Sequence, residues 1–247
     1  MIEKIRRFIK SIFVFKNWIM YSLDIIKKNN YLILKTRKGI NYKVRKNTAD
    51  KGIILEIFFD KVYTPDGFEI EENDLVIDIG AHIGVFSLFA STYTKNKIFS
   101  FEPLPENFDL LKENVEFNKK NNIRIFNLGV CGKKGKRYIF YDDSNTGGHS
   151  LFKKSSKKFL IKCITLDEIF DNFKIERCDF LKIDCEGCEY EIIFYSKKNT
   201  LKKISKISME IHQVRKNKII KLEKVLKSVG FEVIEKNKML YAKRFNF

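Results

Sequence analysis

From residue 74 onward the chain alternates strand-length apolar runs with helix-length amphipathic ones, and this restricts its fold more than any other feature. The runs "LVIDI", "KIFSFE", "NIRIFN" and "DFLKID" are rich in Ile, Val and Phe, and stretches of helical period separate them. Strands joined through helices lie parallel, and a parallel sheet needs cover on both faces. The spacing predicts strands over 75–79, 97–102, 123–128, 179–184, 203–211, 231–236 and 239–244. Helices are predicted over 84–93, 105–119, 166–173, 187–196 and 215–229. Only "NK" separates the last two strands, too short for a crossover, so they form an antiparallel hairpin. The expectation is an α/β fold with a mainly parallel seven-stranded sheet ending in that hairpin.

Residues 1–62 read as a small extension to a main domain over 63–247. It contains a hairpin, "YLILK" and "NYKVRK" joined by "TRKGI", followed by the helix-like "ADKGIILEIFFDKVY". Residues 133–164 form an insertion placed to overhang the carboxyl ends of the strands.

In an open parallel sheet a ligand sits beyond those ends, and the first strand-to-helix turn approaches it most closely. Here that turn is "DIGAHIG". Gly80 and Gly84 let the chain turn tightly, and the amino end of the next helix offers unpaired N–H groups. Glu102 ends the second strand 22 residues after Gly80, where an acidic side chain accepts hydrogen bonds from both hydroxyls of a ribose. The G-x-G-x-x-G triplet of nicotinamide enzymes is missing. Asp78 suits a cofactor with a cationic part better than a pyrophosphate. The fourth strand ends in Asp184 and Glu186 and the fifth in Glu210 and His212, so adjacent strand ends would bring these groups together. His149 and Ser150, in the loop "TGGHS", are further candidates on the acceptor side.

With "YTPDGFEIEENDLVIDIGAHIGVFSLFA", "FEPLPENFDLLKENVEFN", "NLGVCGKKG", "TLDEIF" and "DFLKIDCEGCEYEII" in this order, the chain resembles the FkbM family of S-adenosylmethionine-dependent methyltransferases from about Tyr63 to His212. The resemblance implies a class I methyltransferase, Rossmann-like sheet, S-adenosyl-L-methionine as cofactor and O-methylation of a sugar, glycan precursor or other metabolite hydroxyl. By position, Asp78, Gly80 and Gly84 would form the cofactor loop, Glu102 would hold the ribose, and Gly129 and Val130 would pass beside the adenine. Where the family usually has Asn, this chain has His82. Either side chain can bond the methionine portion, but an imidazolium would repel the sulfonium, so His82 is expected to be neutral. In this architecture the acid at the fourth strand's end stands beside the transferring methyl group. Asp184 or His212 is therefore expected as base, with Glu210 or another neighbouring acid as orienter and Glu186 on the acceptor side. The same set could hold a divalent metal, but it lacks diagnostic spacing and the metal-free reading is preferred.

The net charge of +17 invites a nucleic-acid partner. Only nine of the 48 basic residues are Arg, however, and the lysines are scattered, which suits a solvated surface better than bidentate phosphate recognition. With prolines only at 65, 103 and 105, the N/D-P-P-Y/F signature of amino-methylating nucleic-acid enzymes is absent. A small-molecule or glycan acceptor is expected rather than RNA or DNA. Five cysteines, with Cys185 and Cys188 as a lone CxxC, do not form a disulfide framework and point to a reducing, cytoplasmic compartment. The segment "MIEKIRRFIKSIFVFKNWIMYSL" is interrupted by Lys10 and Lys16 and falls short of the roughly 20 apolar residues of a spanning helix. It reads as a helix packed on the domain or as a cationic amphipathic helix at an anionic inner membrane surface. The sequence does not specify an oligomeric state.

Overall fold

The computed structural model describes residues 2–23, 30–140, 158–212 and 216–244. They open with helices α1 (Ile2–Val14) and α2 (Trp18–Leu23), hairpin strands β1 (Tyr31–Lys35) and β2 (Asn41–Arg45), and helix α3 (Asp50–Phe58). The alternating part runs β3 (Val76–Ile79), α4 (Val85–Ala90), β4 (Ile98–Phe101), α5 (Pro105–Phe117) and β5 (Ile123–Phe126). It continues with β6 (Gly129–Val130), β7 (Gly135–Phe140), β8 (Lys158–Ile164), α6 (Leu166–Phe173), β9 (Cys178–Ile183), α7 (Glu189–Tyr195) and α8 (Lys198–Lys202). The last elements are β10 (Ile204–Glu210), α9 (Lys216–Ser228), β11 (Glu232–Lys236) and β12 (Met239–Lys243).

The main sheet has the order β11-β12-β10-β9-β3-β4-β5, parallel except for β12, which pairs antiparallel with both β10 and β11. This is the class I methyltransferase arrangement, with the seven strands and closing hairpin expected. In the "NK" turn Asn237 and Lys238 both have positive φ, +53° and +65°, as a two-residue hairpin whose twist matches its strands requires. Helix α5 starts with Pro105, whose missing N–H costs nothing at that position. Helix α6 starts in a reciprocal cap between Thr165 and Glu168.

Successive strand residues face opposite sides of the sheet and split the core in two. Ile77, Ile79, Phe99, Phe101, Leu181 and Ile183 pack on one side, with α6, α7 and α9. Val76, Ile98 and Phe180 pack on the other, in one core with Phe15 after α1, the β1–β2 hairpin and helices α3 to α5. Residues 1–62 therefore contribute directly to one of the two cores. The insertion pairs as a second sheet, β6-β8-β7.

Across the second face runs a line of polar side chains at one register: Ser100, Asp78, Lys182 and Ser208 on β4, β3, β9 and β10. All four are buried. Asp78 accepts from Ser87 Oγ at 2.6 Å and pairs with Lys182 Nζ at 3.1 Å, while Ser208 Oγ donates to the Tyr63 carbonyl at 2.7 Å.

Candidate active site

A cavity of about 360 Å³ opens at the carboxyl ends of β3 and β9, where the chain leaves one half of the sheet for the other. Gly80, Ala81 and His82 form one wall, Glu102, Pro103 and Leu104 the next, and Gly129, Val130 and Cys131 a third. Asp184, Cys185 and Glu186 follow β9, and Glu210 and His212 end and follow β10. Ile139 and Ile161 of the inserted sheet close over it, the overhang that the insertion's position predicts. Arg7, Lys51 and Glu56 of the extension line the far end.

Two expected cofactor residues lie behind this wall. Asp78 is fully buried and bonded to Ser87 and Lys182, so it supports the turn instead of lining it. Gly84 caps α4 at φ +86°, and a Cβ there would come within 2.6 Å of the Leu111 side chain, so its role is packing. Helix α4 has only six residues, and its start gives a tight corner more than an anion site. Gly80 is tied to the opposite strand, because a Cβ there would lie 1.7 Å from the Asp184 carbonyl oxygen. His149 and Ser150 lie outside the described residues.

At one end of the cavity, the Glu102 carboxylate accepts from the backbone N–H of His82 at 2.9 Å and of Leu104 at 3.0 Å, with Asn107 Nδ2 at 3.4 Å. Burial pushes its pKa up to about 7 against these stabilising bonds. His82 holds a left-handed backbone at φ +52°. Arg45 Nη2 lies 3.0 Å from its Nε2, and because a guanidinium only donates, that nitrogen accepts and the proton sits on Nδ1. Burial lowers the ring's pKa to about 4, so it is neutral as expected. Nδ1 is buried without a hydrogen-bond partner among the described residues, which leaves one N–H donor for a ligand. Arg45 is itself held by a bidentate pair with Asp50, at 2.9 Å twice, and donates to Asn107 Oδ1 at 2.8 Å. Arg45, Asp50 and Asn107 carry no sequence signal for this role, since the contacts of Arg45 with His82 and Asn107 span 37 and 62 residues.

At the other end, Asp184, Glu186, Glu189 and Glu210 surround His212, whose Nδ1 is 2.8 Å from the buried Glu189 Oε1. His212 Nε2 lies 3.4 Å from Glu186, 3.7 Å from Glu210 and 3.9 Å from Asp184. The sequence thus brought the right strand ends together but missed Glu189, the closest partner. Burial alone would lower the His212 pKa, yet the Glu189 bond and the surrounding carboxylates carry it up to about 9. Burial and like charge push Glu186 up to about 8 and Glu210 upward. Tyr63 donates to Asp184 Oδ2 at 2.8 Å, and burial with the neighbouring acids keeps its phenol protonated. Oxygen and nitrogen atoms of Asp184, Glu210 and His212 lie within 4.8 Å of one another, close enough to share a cation.

The Methyltransferase FkbM domain model matches residues 78–233. Hexuronic acid methyltransferase AglP of Haloferax volcanii is 30% identical over 145 residues, 58% of this chain and 58% of its own length. The 31-O-demethyl-FK506 methyltransferase FkbM of Streptomyces tacrolimicus is 24% identical over 219 residues, covering 76% of this chain and 84% of its own. Methyltransferase sdnD of Sordaria araneosa is 27% identical over 174 residues, 57% of this chain and 66% of its own. The match thus spans a little over half the length of AglP and about two thirds of sdnD. Among solved structures, precorrin-6y C5,15-methyltransferase from Geobacter metallireducens aligns with a TM-score of 0.46 at 15% identity, covering 81% of this chain and 92% of that one. TYW2 of M. jannaschii in complex with AdoMet aligns at 0.39 and 14%, covering 88% and 85%. With the family model spanning more than half of its length, the chain belongs to the FkbM methyltransferase domain family.

Proposed function

We propose that the chain transfers a methyl group from S-adenosylmethionine to a hydroxyl of a sugar, glycan precursor or similar small metabolite. One observation carries the reading: a ribose-type acidic anchor, Glu102, and an acid–histidine cluster at the ends of β9 and β10 open into the same cavity. The residues fit that cofactor. Glu102 is fixed by backbone donors and retains lone pairs for ribose hydroxyls, while the unpaired His82 Nδ1–H suits the methionine carboxylate. Gly129 and Val130 offer a wall without polar side chains for the adenine. When bound, the cofactor supplies the electrophilic methyl group.

The protein's share is alignment and proton removal. His212, with its pKa at about 9, is cationic near neutral pH, so Asp184 suits the base role better, oriented by Tyr63. Glu189 and Glu210 hold His212 beside it. A neutral hydroxyl suits an acceptor position lined by the acids Asp184, Glu186 and Glu210. The relatives' names offer precedent in a sugar acid and an oxygen position. A second reading has Asp184, Glu210 and His212 share a divalent cation that lowers the hydroxyl pKa, prompted by their mutual proximity.

Incubation with methyl-labelled cofactor and fractionated nucleotide sugars, polysaccharide and RNA tests the reading. The expected product is an alkali-stable methyl ether on a saccharide or small metabolite. Label in RNA, or an alkali-labile ester, would overturn the acceptor assignment.

A further inference from the structure

Helix α1 packs the wrong way round for a helix that only covers a core. Ile2, Ile5, Ile9 and Phe13, spaced three and four residues apart, share one face, and they are 83%, 53%, 47% and 64% exposed. The opposite face points inward. Lys10 is 9% exposed and bonds the Asp60 carboxylate at 2.6 Å, Ser11 is fully buried, and Arg7 lines the cavity. Helices of globular domains turn their apolar stripe to the core, so a stripe turned to solvent while the polar side docks calls for a partner. Phe59, 6.1 Å from Phe13 between ring centroids, extends the patch.

We propose that this face docks on an anionic lipid bilayer. Helical geometry places the exposed Arg6 at one edge of the stripe, beside Phe13 and Ile2, with exposed Lys16 just beyond the helix. Aliphatic and aromatic side chains rimmed by basic ones are what an interfacial helix presents to acidic headgroups, and the chain's net charge of +17 adds long-range attraction. Thirteen residues span about 20 Å as a helix, short of the ~30 Å hydrocarbon core, so α1 lies along the surface. No helix among the described residues is long and apolar enough to cross a membrane. A second copy of the chain is a poorer occupant, because pairing through α1 would bring the cations that flank the stripe, Arg6 and Lys16, against like charges.

The test uses the full chain and co-flotation with phosphatidylcholine vesicles, with and without phosphatidylglycerol. Deleting the segment is unsuitable, since Val14, Phe15 and Tyr21 belong to the core. The double substitution Ile9→Glu, Phe13→Glu alters only exposed side chains and is expected to lower binding to anionic vesicles at least tenfold, with an unchanged melting temperature. Arg6→Glu with Lys16→Glu should do likewise, and raised salt should weaken native binding. Failure of the native protein to bind anionic vesicles, or equal binding by native and Ile9→Glu, Phe13→Glu proteins, would overturn the proposal. So would a dimer in sedimentation velocity that the same substitution dissolves, because the stripe would then belong to a second copy.

Discussion

Gly80 combines a backbone at φ +77° with a space already taken by the Asp184 carbonyl, so any side chain strains the turn and displaces the end of β9. Gly80→Ala is therefore expected to destabilise the fold by more than about 2 kcal/mol, measured by urea unfolding. The sequence alone suggests that a substitution here would cost ligand binding before stability; a variant that melts normally and only fails to bind would restore that view. In the proposed function Glu102 works the other way, through its ligand. Its pKa of about 7 lies above the ordinary 4.5, so burial favours the protonated form and the ligand-free protein loses stability as pH rises from 4.5 through 7. Ribose hydroxyls donate to the ionised form, so cofactor affinity should rise across the same range, by up to ~tenfold per pH unit below 7. Glu102→Ala should weaken binding by roughly 1.5–3 kcal/mol, and Glu102→Gln should flatten the pH profile, both read by calorimetry. Unchanged affinity in a folded variant would remove the residue from the site.

Strands β3 and β9 meet through a buried charge that apolar periodicity does not reveal. Lys182 Nζ donates to the Gly80 carbonyl at 2.7 Å and lies 3.1 Å from Asp78 and 3.6 Å from Asp184, so one side chain ties the turn after β3 to the acid after β9. Burial opposes its charge, but Asp78 and Asp184 raise its pKa and keep it protonated. Lys182→Met leaves Asp78 charged and unpaired and should cost roughly 3–5 kcal/mol. Adding Asp78→Asn removes the orphaned charge and should recover part of that loss in a double-mutant cycle. Simple additivity of the two single effects would show that the pair is not coupled. A lysine inside the otherwise apolar "FLKI", matched by the Asp inside "LVIDI", is the sequence signal that could have flagged it, since a buried cation needs partners.

The cavity draws on residues from Arg7 to His212, and its acid end dominates the response to pH. The folded-state pKa of His212, about 9, lies above its ordinary 6.5, so the stability it contributes is complete below pH 6.5 and lost as pH rises through 9. Glu186, raised to about 8 from 4.5, acts in the same direction. Thermal melts should therefore show falling stability between about pH 6.5 and 9, and a curve that rises there would contradict the cluster's charge state. Asp184→Asn should cut turnover by roughly 10²–10⁴ while cofactor binding holds. Activity lost to EDTA and restored by magnesium would favour the shared cation, and full activity in Asp184→Asn and His212→Ala would make the cluster structural. By itself, the sequence determined the seven strands of the main sheet, most of the helices between them, the closing hairpin, the turn at Gly80, and the position of Glu102 and of the acids at the ends of β9 and β10. All of these follow from local periodicity and from what strand ends present in a parallel sheet. Only the tertiary structure decided that Asp78 and Gly84 stand behind the wall, that Glu189 holds His212, and that Arg45 sets the His82 tautomer from 37 residues away. Those roles depend on which loops packing brings together, and a contact between distant segments leaves no period in either of them.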